Sequence, residues 1–164
     1  MTNDFDSDDV AWMREALELA AHAGELGEVP VGAVLVRDGV CIGRGFNAPI
    51  ASHDPTHHAE IAAIRDASRQ QHNYRLPGST LYVTLEPCTQ CFGALIHARV
   101  ARLVFATTEP RAGVVGSQLR LQDMSFYNHR ITVSGGLLAD EAAQLLRTFF
   151  QGRRSVGGEF RAPD

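Results

Sequence analysis

Lysine is absent from this chain of 164 residues, and all 15 of its basic residues are arginine. That absence carries no functional weight by itself. Cysteine is scarce too: three residues, two of them in Cys88-Thr-Gln-Cys91, do not make a disulfide framework. In a reducing compartment such a Cys-x-x-Cys pair binds metal or does redox chemistry. No window approaches the ~18 consecutive apolar residues that a membrane helix needs. The N-terminus, from Met1 to Asp9, is acidic and polar, whereas a signal peptide starts basic and turns apolar. The expected compartment is therefore the cytoplasm. Net positive charge is missing as well. A formal charge of −4 argues against a generic nucleic-acid binder, although a local basic patch is enough for a specific one.

What is present fits one globular domain. Apolar residues make up 45% and charged residues 21%, and the length suits a single hydrophobic core. Neither an internal repeat nor a low-complexity linker divides the chain. We expect one domain over 1–156 and a short flexible tail over 157–164.

Periodicity predicts a first helix from Ser7 to Gly24, capped by Ser7, with Val10, Met13, Leu17, Ala20 and Ala21 on one face. Gly32 to Phe46 reads as a hairpin around the turn pair Asp38-Gly39. Asp54-Pro55 opens a second helix running to about Arg69, followed by a strand at Leu81–Leu85. Pro87 at a first helical position starts a third helix through Ile96. Strands follow at Arg102–Ala106 and Ile131–Val133, and a final helix runs from Ala139 to about Arg154. Thr107 to Asn128 has no clear element, and a loop that long in a compact domain is usually either functional or a misassigned element. This order suggests a three-layer α/β domain with helices on both faces of a mixed sheet.

Two motifs carry chemistry. His58-Ala59-Glu60 lies in the first turn of the second predicted helix, and Pro87-Cys88-Thr89-Gln90-Cys91 in the first turn of the third. Residues three apart on a helix share a face, so Cys88 and Cys91 can reach one ion. A helix N-terminus also favours the thiolate that a metal requires. One imidazole and two thiolates suit zinc better than hard-oxygen metals. A structural zinc site closes with four protein ligands, whereas a catalytic one keeps a place for water, acidified into a nucleophile. The motifs supply three ligands. Glu60, two residues beyond His58, is placed to move protons without being a ligand.

Each motif alone has a plainer explanation: the Cys pair as a redox or structural element, His-x-Glu as a surface pair. Together, each opening a helix across one intervening strand, they are much less easily accidental. Cys41 as a fourth ligand would close the site; its apolar strand points instead to a core cysteine. His57 neighbours the ligand but points elsewhere. Of the remaining histidines, His53 and His129 stand closest to motif-bearing polar segments.

At H-x-E and P-C-x-x-C the sequence resembles the cytidine-deaminase-like superfamily. Within it, Glu28-Val-Pro-Val-Gly-Ala33, Asn47-Ala-Pro-Ile50, His53-Asp-Pro-Thr56, Leu81-Tyr-Val-Thr-Leu-Glu-Pro-Cys88 and Asn128-His-Arg130 resemble the bacterial tRNA-specific adenosine deaminases. The likeness runs from about Trp12 to Arg154. It implies a three-layer α/β/α fold with a five-stranded mixed sheet, one zinc per subunit, a homodimer, and conversion of the wobble adenosine of a tRNA anticodon to inosine. It also implies that Asn47 and Val31 contact the target nucleoside. After Ala106 the family carries Gly-Ala and then Asp ahead of Pro/Ala-Lys, whereas this chain has Thr107-Thr-Glu109 and Pro110-Arg111. That loop resembles one that contacts RNA in the family, which makes Arg111 a candidate RNA contact, along with Arg153 and Arg154 near Phe149-Phe150. Two rivals stay open: a deaminase of a free base or nucleoside, and a zinc-stabilised RNA-binding module without activity. Glu60 argues against the second, since folding has no need of a proton shuttle.

Overall fold

The structure is a computed structural model that describes residues 4–155. The tail expected over 157–164 lies outside the described residues. Helix α1, Ser7–Glu25, opens on Asp6 rather than on Ser7. The Asp6 carboxylate accepts the Asp9 N–H at 2.8 Å and Asp9 accepts the Asp6 N–H at 3.2 Å. This reciprocal box satisfies two otherwise orphaned donors, which the single hydroxyl of Ser7 does not match. Strands β1, Gly32–Arg37, and β2, Val40–Phe46, form the expected hairpin. Its turn places Asp38 at φ 52° and Gly39 at φ 72°, the paired left-handed conformation of a tight two-residue turn.

A short helix α2, Pro49–Ser52, precedes α3, Ala59–Gln71. The sequence expectation of one helix from Asp54 is corrected here. The Asp54 carboxylate captures the Thr56 N–H at 2.8 Å and its hydroxyl at 2.6 Å, folding 54–56 into a turn that competes with helix. Strand β3, Thr80–Leu85, leads to α4, Thr89–His97, and then to β4, Arg102–Thr107. Pro87 lies just outside α4, because Cys88 is the cap residue. The segment from 108 contains a single bridge between Val115 and Arg120 and a short 3-10 turn, Leu121–Asp123, before β5, Thr132–Gly135, and α5, Ala139–Ser155.

The five strands form one mixed sheet in the order β2-β1-β3-β4-β5. β1 pairs antiparallel with both β2 and β3, while β3, β4 and β5 run parallel. Alternation along the strands sorts the core into two layers. Leu35, Leu81, Val83, Leu103 and Phe105 pack with Ala63 of α3 and Phe92 and Leu95 of α4. Val34, Tyr82, Val104 and Ala106 pack on the other face with Met13 of α1 and Ala142 of α5. The result is the α/β/α sandwich that the sequence led us to expect.

Glycine sets how closely α3 sits on β2. A Cβ on Gly43 would fall 2.4 Å from the Ala63 carbonyl oxygen, and one on Gly45 2.5 Å from that of Ala59. Only hydrogen fits at these positions, so the helix backbone rests directly on the strand. That packing positions the start of α3, where His58 and Glu60 lie. No described helix is long and apolar enough to cross a membrane.

Candidate active site

The site forms where α3 and α4 begin, beside the carboxyl end of β3, the usual ligand position in sheets of this kind. His58 and Cys88 are the cap residues of α3 and α4, both with extended backbone. Neither side chain bonds its own helix end, which leaves the imidazole and the sulfur free to meet. The cap position and the third helical position face one another, so Cys88 and Cys91 stand side by side. Gln90 Nε2 donates to the Thr56 carbonyl at 3.2 Å, tying α4 to the turn before His58.

The resulting distances are short. Cys88 Sγ lies 3.6 Å and Cys91 Sγ 3.4 Å from His58 Nδ1. The three ligand atoms all fall within 4.8 Å of one another, and among the described residues they make the one group able to hold a metal. A tetrahedral zinc centre with bonds of ~2.0–2.3 Å spaces its ligand atoms roughly 3.5–3.8 Å apart. The observed spacing fits. Cys41 does not join the group: its thiol donates to the Gly43 carbonyl at 3.4 Å, and it is half-buried against the α1 side of the sheet.

The electrostatics suit a cation. Hydrogen bonds from the Cys91 thiol and the His58 ring outweigh burial and lower Cys88 to about 4, which favours its thiolate. Cys91, bonded to that thiolate and buried, is pushed far upward. The Cys88 sulfur likewise raises His58. Glu60 is 4% exposed, and burial lifts its carboxyl above the ordinary range despite a hydrogen bond with Cys91. It lies outside the ligand group yet lines the same cleft.

That cleft measures about 330 Å³ and is lined by His58, Glu60 and Cys88 together with Val31 and Asn47. Both nucleoside-contact candidates are thus brought to the metal group. Asn47 is held by its backbone N–H to the Val31 carbonyl at 3.0 Å and by Nδ2 to the Val29 carbonyl at 3.3 Å. Glu28, buried beside them, accepts the N–H groups of Ile50 and Ala51, both at 3.1 Å.

The arginines fall differently. Arg111 is exposed and does not line the cleft, though its neighbours Glu109 and Ala112 do. Arg153 reaches the Gly27 carbonyl and covers the Phe149 ring at 4.5 Å, pinning the end of α5 to the connector that leads into β1. Arg154 is exposed one residue further on. His57 opens onto a separate groove with Arg44, Arg65 and Arg69, and His129 bonds the Val100 carbonyl at 2.7 Å.

Sequence reading missed the acidic lining, Glu86 and Glu109. Glu86 lies two residues before Cys88, in a matched stretch, and that adjacency was the available signal. The partners that give it meaning come from residues more than 20 positions away.

Residues 6–107 match the family model described as the cytidine and deoxycytidylate deaminase zinc-binding region, a span that includes all three ligand candidates and Glu60. The chain is 52% identical over 147 residues to the tRNA-specific adenosine deaminase of Haemophilus influenzae, covering 89% of this chain and 85% of that one. It is 46% identical over 143 residues to the protein of the same name from Agrobacterium fabrum, covering 87% and 94%. A solved structure from a study of A-to-I editing by tRNA:A34 deaminases superposes with a TM-score of 0.81 at 45% identity, over 83% of this chain and 99% of that one. The guanine deaminase of Nitrosomonas europaea superposes less well, with a TM-score of 0.70 at 26% identity over 90% and 86%. The chain belongs to the zinc-binding cytidine and deoxycytidylate deaminase family, among the tRNA-specific adenosine deaminases.

Proposed function

We propose that this chain hydrolytically deaminates the wobble adenosine of a tRNA anticodon to inosine, releasing ammonia. The observation that carries the chemistry is a group of three metal ligands, not four, facing a cleft that also holds a buried carboxylate. The substrate is supported by relatives at 52% and 46% identity named for adenosine in tRNA. His58, Cys88 and Cys91 would hold the zinc. When bound, zinc lowers the pKa of water and supplies a nucleophile at neutral pH. Glu60 takes up a proton as water adds to C6 of adenine, and delivers it to the ring nitrogen or the leaving amine.

The Asn47 amide orients the nucleoside by hydrogen bonding, and Val31 gives the base an apolar surface. An anticodon loop already splays its bases, so no duplex has to be opened. Arg111, Arg153 and Arg154 contact the RNA backbone, and the chain works as a cytoplasmic homodimer. A free-purine deaminase is the second reading, supported by the likeness to the guanine deaminase of Nitrosomonas europaea at lower identity.

The test is incubation with an anticodon stem-loop, followed by analysis for inosine at the wobble position. Inosine should form, and Glu60→Ala should abolish it with bound zinc retained. Rapid turnover of free guanine with none on RNA would overturn the leading reading.

A further inference from the structure

Glu86 is a buried carboxylate that the chemistry above does not use. It is 3% exposed and sits at the join between β3 and the cap of α4. Four donors from one distant loop converge on it. Oε1 accepts the Glu109 N–H at 3.1 Å and the Ser117 hydroxyl at 2.5 Å. Oε2 accepts the Val115 N–H at 3.1 Å and the Ser117 N–H at 3.0 Å. Gly113 completes the cradle, because a Cβ there would lie 2.3 to 2.5 Å from the carboxylate. The surrounding backbone follows: the Glu86 N–H donates to the Thr107 carbonyl at 2.9 Å, and the Val114 N–H to the Pro87 carbonyl at 3.0 Å.

This loop has no helix or strand ladder of its own between β4 and the 3-10 turn. Its own bonds form a few turns, Gly113 N–H to the Glu109 carbonyl at 2.8 Å and Gln118 N–H to the Gly113 carbonyl at 2.9 Å, with a single bridge between Val115 and Arg120. The carboxylate ties these turns to the end of β3. Two of its residues, Glu109 and Ala112, line the cleft together with Glu86 itself. All four donors need acceptors on both oxygens, which an ionised carboxylate provides and an amide cannot.

We propose that Glu86 is a positioning residue for the substrate nucleoside: it organises loop 109–117 into the wall of the cleft and thereby determines how tightly the RNA base is received. The inference rests on the deaminase reading given above. The His58 ring meets the Cys88 and Cys91 sulfurs and Glu60 meets Cys91, none of them in loop 109–117, so loosening this wall acts first on substrate binding. The loop's bond to the Pro87 carbonyl is why zinc content is measured beside it.

The decisive experiment compares Glu86→Gln, Gly113→Ala and Ser117→Ala with the unaltered chain on an anticodon stem-loop. Zinc content, melting temperature and steady-state kinetics are measured for each. Binding of the same stem-loop is measured in a Glu60→Ala background. Glu86→Gln and Gly113→Ala should raise KM and the stem-loop Kd by about tenfold or more, with kcat within about threefold and zinc unchanged. Ser117→Ala, which removes one donor of four, should raise KM by about threefold. Arg102→Met, on the other face of the sheet, should lower the melting temperature without moving KM, which separates positioning from general stability. An unchanged KM in the Glu86 and Gly113 variants overturns the inference, as does loss of kcat and zinc at constant KM. If both variants fail to fold, Ser117→Ala decides by the same criterion. A chain that makes no inosine overturns both readings; an active chain whose variants keep their KM overturns only the role of Glu86.

Discussion

The Asp9 carboxylate on α1 receives both terminal nitrogens of Arg102 on β4, at 2.7 and 3.1 Å. The Tyr82 hydroxyl donates to the same carboxylate at 2.6 Å, so helix and sheet are locked on the face away from the cleft. Asp9 is almost fully buried, whereas Arg102 keeps about a third of its side chain in solvent. Removing Arg102 would leave a buried carboxylate short of its strongest partner. Arg102→Met should destabilise the fold by about 2–4 kcal/mol, read by urea unfolding.

The same carboxylate gives stability a defined acid limb. Burial alone would raise Asp9, but hydrogen bonds from Arg102, Tyr82 and the Asp6 backbone hold it below the ordinary carboxylate range. A group lowered in the folded state contributes fully above its unfolded value and loses that contribution as pH falls through its folded value. The melting-temperature gap between the unaltered chain and Asp9→Asn should therefore be constant above about pH 5 and shrink below pH ~4. A gap that widens on acidification would refute this account.

Metal removal separates the cysteines. Dialysis against a strong chelator should remove zinc and deaminase activity together, and added zinc should restore both. Cys88→Ser should reproduce the loss permanently. Cys41→Ala should retain one zinc per chain and full activity, because its thiol faces the Gly43 carbonyl away from the ligand group. Elemental analysis beside an ammonia assay reads both quantities.

Gly45 tests the seat of α3. An added methyl would meet the Ala59 carbonyl oxygen and the Ala63 nitrogen, both at 2.5 Å, and backbone cannot rotate away. Gly45→Ala should cost at least about 2 kcal/mol by overpacking. It should also depress kcat, since Ala59 lies between His58 and Glu60. Thermal unfolding and single-turnover kinetics check the two parts separately.

The arginines should divide by salt. Arg111→Ala and Arg154→Ala should weaken stem-loop binding and flatten its salt dependence by about 0.7–0.9 in log–log slope for each phosphate no longer neutralised. Arg153→Ala should do the same and also lower the melting temperature, because it removes the tie to Gly27 and the cover on Phe149. Filter binding across a salt series, with a melting curve for each variant, distinguishes them.

Much of the site was legible because it is written in two short motifs. Cys88 and Cys91 are three apart, so local helix geometry already aims that pair, and Glu60 follows His58 by only two residues, close enough to reach the same ion's surroundings. Helix starts were less legible. Asp6 outcompeted Ser7 by forming a reciprocal box, and the Asp54 side chain diverted 54–56 into a turn, so His58 became a cap instead of a mid-turn residue. Each is a contest between neighbouring side chains for the same backbone N–H groups, which periodicity does not register.

Cys41 and the stretch from 107 to 128 were settled only by long-range packing. Nothing near Cys41 in sequence states which face of the sheet its thiol takes. Nothing between 107 and 128 states that a carboxylate at position 86 will gather its N–H groups. The sequence by itself determined the metal chemistry and the layered fold, because these rest on spacing within a few residues and on periodic burial. Tertiary structure decided that Cys41 stays out of the ligand group, that Asn47 and Val31 share its cleft, and that Glu86 gathers the loop forming one wall. Those facts depend on atoms brought together from separate parts of the chain, where folding supplies the neighbours.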